Sequence, residues 1–225
     1  FTAILGKLIT LPAFALVWWR MLLVVLALCA VPAFWRGVRR LDARLLGIYA
    51  GIGVVVAQHW VTFYASIKLA NASVAATCMG VAPILVSLVE PWITGRRFDA
   101  RELAIGIAVV PGVALVVGGT PGEMRAGIAV GILSALLVAI FGALNKRYVE
   151  RAEPLAVTGI ELGAGALFLT LIALALGGGH GTGLGWPSLH DTWLLLLLAL
   201  ACTLFPFALS LVALRNLSAF SAQLA

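Results

Sequence analysis

Gln58–Arg97, QHWVTFYASIKLANASVAATCMGVAPILVSLVEPWITGRR, is two long apolar runs joined by a minimal turn, with polar residues where a water-soluble core would not hold them. Gln58, His59, Thr62 and Tyr64 sit deep in the first run, and Thr77, Cys78 and Pro83 sit in the middle of the second. The turn, Lys68–Ser73, offers Asn71 or Ser73 as the cap of the helix that follows. The pattern predicts a membrane helical hairpin with a polar seam. In hydrocarbon a polar side chain must face protein or a water-filled cavity, so the seam is the first candidate for a transport path.

The rest of the chain agrees in composition. Of 225 residues 63% are hydrophobic and 11% charged, and the mean hydropathy is +1.11; a soluble domain carries roughly a quarter charged residues. The net charge of +6 does not point to nucleic acid, because the basic residues cluster at the ends of apolar segments, as in membrane proteins. Cys29, Cys78 and Cys202 are far apart, each within an apolar run and without a neighbour at metal spacing, which predicts thiols packed as small hydrophobes. The sequence starts at Phe1 and stops inside a helix-like segment, so the expectation is a piece of a longer protein.

A membrane helix needs about 20 apolar residues. Residues 1–11 read as the second half of a helix ended by Pro12, followed by spans near 13–35, 45–67, 72–93, 103–117, 126–144, 155–176 and 192–214, with another beginning at 218. This gives seven complete spans and two partial ones. Between 177 and 191 lies a glycine-rich loop, GGGHGTGLGWPSLHD. The chain also divides in two. FYASIKLANASVAAT (63–77) lies over SLVALRNLSAFSAQL (210–224), placing Lys68 on Arg215 and Trp60 on Phe207, and Pro12 falls on Pro154 at a similar shift. Halves of five spans, an odd number, enter the membrane in opposite senses, the inverted-repeat plan of many secondary transporters. Eleven of the fifteen basic residues fall in alternate loops that the positive-inside rule puts in the cytoplasm, and only Lys7, Arg20, Lys68 and Arg125 do not.

The phrase FYASIKLANASVAATCMGVAPILVSLVEPWITGRR (63–97), followed by a short span ending VVGG (116–119), resembles the first EamA repeat of the drug/metabolite transporter superfamily, and LRNLSAFSAQLA (214–225) resembles the matching place in the second. The resemblance implies an all-α integral membrane bundle of two inverted five-helix repeats, with ten spans in the full protein. The first repeat would occupy 1–119, its first span truncated, and the second 124–225. It also implies a multi-pass carrier in a bacterial inner membrane, exporting amino acids or other small metabolites. One departure stands out: such repeats commonly close their fourth helix with Gly-Glu, whereas here Gly95 is followed by Arg96 and the nearest carboxylate, Glu90, lies one to two turns earlier.

The candidate cavity residues follow from position. His59, with Gln58 beside it, could couple a proton to substrate movement, contact substrate, or simply bond a neighbouring helix. Arg20 lies eight residues after Pro12, about 12 Å along a helix, which is deep for snorkelling. Glu161 lies seven after Pro154, the equivalent place in the other half, so the two are expected to line the cavity and to pair; the alternative sends Arg20 to the headgroups and leaves Glu161 bonded locally. Trp60, Phe63, Tyr64, Phe205 and Phe207 are candidates for an aromatic wall, with Thr77 and Met79 from the next helix. Lys7, Asn145 and Gln223 are polar groups near helix ends, and His180 and His190 read as solvated. Pro83, Pro111 and Pro206 free the carbonyls of Met79, Ile107 and Cys202, and Pro83 and Pro206 are the candidate gating kinks. Glycine pairs at spacing four, Gly47/Gly51, Gly127/Gly131 and Gly159/Gly163, predict close helix contacts.

These features favour a secondary carrier of a small organic solute over two other classes. A membrane-embedded enzyme would need a chemistry-bearing motif, and H-E-x-x-H, paired mid-helix aspartates and G-x-S-x-G are all missing from the sequence. A non-transporting scaffold would not need polar groups along a central seam. The expected partners are a small-molecule substrate, the bilayer and, through His59, a proton; neither a cofactor nor nucleic acid is expected.

Overall fold

The computed structural model describes residues 2–177 and 183–224, with Gln223 and Leu224 described by backbone alone. The described residues are helical with connecting turns, and six stretches are long and apolar enough to cross a membrane: Ala43–Leu69, Ala72–Thr94, Ala100–Gly118, Gly122–Arg151, Pro154–Ala175 and Leu189–Asn216. Ahead of them, α1 (Thr2–Leu8) and α2 (Ala13–Cys29) meet at a 120° bend beside Pro12.

Local chemistry sets most of the boundaries. The expected span 13–35 is cut at Cys29, because the residue before a proline is pushed out of the helical region: Val31 is extended, and α3 (Pro32–Val38) starts afresh at Pro32. With 17 residues, α2 is thereby shorter than the sequence suggested. Asp42 caps α4 (Ala43–Leu69) through the Leu45 N–H at 2.7 Å. In the central turn Asn71 is the cap, its Oδ1 accepting from Val74 N at 2.9 Å. The span 72–94 is made of α5 (Ala72–Met79) and α6 (Ala82–Thr94), interrupted ahead of Pro83, and Gly95 ends it in the left-handed conformation at φ 77°, which glycine adopts without strain. Pro111 divides the next span in the same way, into α7 (Ala100–Ile107) and α8 (Val110–Gly118). After α9 (Arg125–Tyr148) and α10 (Pro154–Ala175), the last long span is α11 (Leu189–Ala199), a π-turn over Leu200–Leu204, and α12 (Phe205–Asn216). The short α13 (Ala219–Leu224) follows.

α4 is the centre of the packing. It lies against α9 and α10, so the longest helix of the first half is enclosed by two helices of the second. α7 and α8 pack on α6 and α5 and leave nearly all of their surface outward, towards lipid.

The closest helix crossing is not where the glycine pairs predicted it. A Cβ on Gly53 would sit 2.8 Å from the Cα of Glu161, and one on Gly165 would sit 2.9 Å from the Gly53 carbonyl oxygen, so α4 and α10 touch backbone to backbone. Gly127, Gly131 and Gly159 are also at tight contacts, whereas Gly47 and Gly51 face open space and Gly163 meets only Val25 at 3.9 Å. Helical phase explains the miss: Gly53 lies two residues, about 200°, from Gly51 on the same helix. Cys78 is buried and Cys202 half-buried as expected, but Cys29, in the last turn of α2, is exposed.

Candidate functional site: a cavity around a buried arginine

A cavity of about 360 Å³ lies between α2, α4, α9 and the last long span. Arg20, His59, Trp60, Phe63, Met79, Pro206 and Phe207 line it, as do Asn145, Phe141 and Thr203.

Arg20 is its centre. Only 4% of the residue is exposed. Its Nε donates to Thr203 Oγ1 at 2.6 Å, its Nη1 donates to Tyr64 Oη at 3.0 Å, and the guanidinium carbon stands 3.7 Å from the centroid of the Trp60 ring. Trp60 in turn meets Phe207 edge-on at 6.2 Å. Thr203 can accept from Arg20 because its own hydroxyl hydrogen is already given, at 2.6 Å, to Leu198 O five residues back, the reach that the π-turn provides. Three elements thus fix one cation: α4 supplies the ring and the phenol, the π-turn the hydroxyl, and α2 the arginine.

His59 faces the same space but is tied to α9. Its Nδ1 lies 2.9 Å from Ser134 O and 2.8 Å from Ser134 Oγ, while Ser134 Oγ lies 2.9 Å from His59 O and donates to it. A backbone carbonyl only accepts, so Nδ1 carries the hydrogen and, in the neutral ring, Nε2 keeps its lone pair. The ring packs near Phe141 and Phe63, at 5.4 and 6.3 Å between centroids.

The expected Arg20–Glu161 pair does not form. Glu161 is fully buried at the α4–α10 crossing, where Oε2 accepts from Asn145 Nδ2 at 3.3 Å while Oε1 has no partner among the described residues. Positions equivalent along two helices need not point at each other, and the Gly53 contact turns Glu161 towards α4 and α9.

Other expected residues lie elsewhere. Gln58 is exposed on the outer face of α4, because the residue next to His59 points about 100° away. Phe205 is 69% exposed and lines a separate groove of about 560 Å³ beside Arg36 and Arg40, on the face opposite Phe207. Thr77 is half-buried and does not line the cavity, although Met79, two residues on, does. Pro83 is buried at the start of α6, while Pro206 reaches the cavity wall directly after the π-turn. Lys7 is exposed, His190 is exposed with its Nδ1 3.6 Å from Asp191 Oδ1, and His180 and the side chain of Gln223 lie outside the described residues. Thr203 and Phe141 were not singled out from the sequence. Thr203 had a usable signal, a hydroxyl inside the apolar run LLLLLALACTLFPF, three residues before a proline.

A second polar cluster joins α6 to α13. Glu90, 1% exposed, accepts the Ala219 N–H on Oε1 and the Phe220 N–H on Oε2, both at 3.0 Å, and Arg96 Nη2 donates to Oε2 at 3.2 Å and also to Glu102. Burial works against the charge on Arg96, but the hydrogen bond to Glu102 and the nearness of Glu90 outweigh it and hold the guanidinium pKa above its ordinary value. The departure from Gly-Glu at residues 95–96 thus leaves an arginine that bridges two carboxylates.

Comparison with known proteins places these features in a family. No curated protein sequence matches the chain. A crystal structure described in no functional terms shares the fold, with a TM-score of 0.68, 17% identity, and coverage of 99% of this chain and 84% of its own. The model of the EamA-like transporter family matches residues 1–118 and again residues 125–225. The chain, matched twice over nearly its whole length, belongs to the EamA-like transporter family, whose members are membrane transporters of the drug/metabolite superfamily.

Proposed function

We propose that the protein is a secondary carrier in a bacterial inner membrane that exports a small organic metabolite, an amino acid or a compound of similar size, by alternating access. Two oppositely inserted halves, 1–119 and 124–225, would rock about the space between them. The observation that carries this reading is the position of the cavity: it lies where α2 and α4 of the first half meet α9 and the π-turn span of the second, and it holds a buried cation. A scaffold has no use for such a group, since in hydrocarbon it costs free energy unless it serves a passage or a ligand. The volume, about 360 Å³, lies in the range of about 300–1,000 Å³ usual for small-molecule pockets. His59 is a further titratable group on the cavity wall and the candidate for proton coupling.

Counterflow in proteoliposomes tests the carrier. Vesicles loaded with unlabelled amino acids or related metabolites should transiently accumulate the labelled form of at least one of them. Accumulation of none across a broad panel, or conversion of a solute without uptake, would leave a scaffold or an enzyme instead.

A further inference from the structure

We propose that the cargo carries a single carboxylate beside a flat apolar body, and that Arg20 is the group that binds the carboxylate. This rests on the carrier reading for the word cargo, but not for the binding site itself.

The argument starts from charge. Among the described residues no carboxylate lies within 4.0 Å of the Arg20 guanidinium, and the nearest expected partner, Glu161, is engaged by Asn145. A buried cation without a counter-ion costs several kcal/mol, and cation–π contact with Trp60 and two hydrogen bonds offset only part of that. An anionic ligand would complete the balance.

Geometry says where it would sit. A guanidinium has five N–H donors; here one on Nε goes to Thr203 and one on Nη1 to Tyr64. The Nη2 group has no protein partner among the described residues, yet it is not sealed off, so it opens on the cavity that Arg20 lines. Trp60 covers a face of the guanidinium, so an anion would approach in its plane, where the two Nη2 hydrogens and the second Nη1 hydrogen are the donors left for a carboxylate.

The other lining residues narrow the ligand further. Among the described residues Arg20 is the single Lys or Arg on the wall, with His59 the only other basic side chain, so a monoanion fits better than a doubly charged phosphate ester. Among the described residues there is no Asp or Glu on the wall to receive an amine. Trp60, Phe207, Phe141 and Met79 provide apolar and aromatic surface beside the cation, suited to a ring or a branched chain.

Three compounds of one shape test this: 3-phenylpropionate, its amide, and 3-phenylpropylamine. Binding to the purified intact protein is measured by tryptophan fluorescence and by thermal shift. The wild-type protein should bind the acid at least about tenfold more tightly than the amide or the amine, a difference of about 1.4 kcal/mol. Arg20→Gln should remove that preference, and Arg20→Lys should keep part of it as a point charge. Equal binding of acid and amide, preference for the amine, or undiminished acid selectivity in Arg20→Gln would overturn the assignment. The wild-type comparison needs no variant, so a misfolded Arg20→Gln does not rescue the idea. Acid-selective binding without counterflow of any solute would refute the carrier and keep this site; counterflow of amines but not acids would keep the carrier and refute the site.

Discussion

Lys68 and Arg215 make the same contact in the two halves of the chain. Lys68, at the end of α4, donates to the carbonyl of Ile9, three residues before Pro12; Arg215, at the end of α12, donates to the carbonyl of Ala152, two residues before Pro154, at 3.0 Å. Each cation thus ties the end of one span to the turn that opens another. Five of the membrane-crossing stretches lie between the two residues, an odd number, so the contacts should sit on opposite faces of the membrane. With Cys29, Cys78 and Cys202 replaced by alanine, a membrane-impermeant maleimide should label Lys68→Cys only from outside the cell and Arg215→Cys only from the cytoplasmic face. Labelling of both from one face would rule out the inverted arrangement.

Glu90 should anchor α13. Its two oxygens accept the Ala219 and Phe220 N–H groups, which a helix N-terminus leaves without internal partners. Glu90→Ala strands both N–H groups at a buried site, while Arg96 keeps Glu102, and should cost at least about 2 kcal/mol. Hydrogen exchange is the direct readout: amides 219–220 should lose protection in Glu90→Ala, and Glu90→Gln, with one acceptor oxygen in place of two, should fall between. Unchanged exchange in the alanine variant would show that the contact does not hold the helix.

The sequence carried these features unequally. Spans were legible because length and apolarity register directly, and Asn71, Pro83 and Gly95 mark boundaries by backbone chemistry that acts within a few residues. Rotation about a helix axis was not legible in the same way. Gln58 beside His59, Phe205 beside Phe207 and Gly51 beside Gly53 each differ by one or two residues, yet 100° to 200° of phase separates wall from surface. Neither could the sequence pair Arg20 with Thr203, which lies 183 residues away on a π-turn that no local pattern announces.

Gly53 should be far less replaceable than Gly47. An added methyl at Gly53 would meet the backbone of Glu161, with its Cα at 2.8 Å, and backbone cannot rotate aside. Gly53→Ala should therefore force α4 and α10 apart and cost about 1–3 kcal/mol or more. Gly47→Ala, with nothing within 4 Å, should be neutral or slightly stabilising because alanine favours helix. Thermal denaturation in detergent compares the two, and equal midpoints would contradict the packing described for α4.

Glu161 should tolerate replacement by an amide better than loss of its polar atoms. Among the described residues neither Oε1 of Glu161 nor Oδ1 of Asn145, both buried, meets a donor, and Asn145 Nδ2 donates to Glu161 Oε2. Glutamine at this position brings an NH₂ that can serve Asn145 Oδ1, so Glu161→Gln should melt at or above the wild-type temperature. Glu161→Ala leaves both Asn145 groups unpaired beside a new void and should cost about 2–4 kcal/mol. A glutamine variant as unstable as the alanine variant would mean that the carboxyl group itself is needed there.

Thr203 should act on ligand affinity through Arg20. Its hydroxyl donates to Leu198 O and accepts from Arg20 Nε, both at 2.6 Å, so it sets the rotation of the guanidinium about its long axis. Valine has nearly the same shape but neither capacity. Thr203→Val therefore frees Nε from its partner and lets the Nη1/Nη2 edge turn away from the cavity, while Trp60 and Phe207 keep the apolar wall. A hydrogen bond to a charged group is worth about 1.5–3 kcal/mol, so binding of 3-phenylpropionate should weaken roughly tenfold or more. Binding of the amide should change less, because it carries no charge to pair with the guanidinium. Thr203→Ser restores both roles of the hydroxyl and should return acid binding to within about threefold of wild type. That rescue separates positioning from a packing effect: valine keeps the methyl and loses the hydroxyl, serine does the reverse, so if serine binds the acid as poorly as valine does, the hydroxyl is not what aims Arg20 and this account of its positioning would fail.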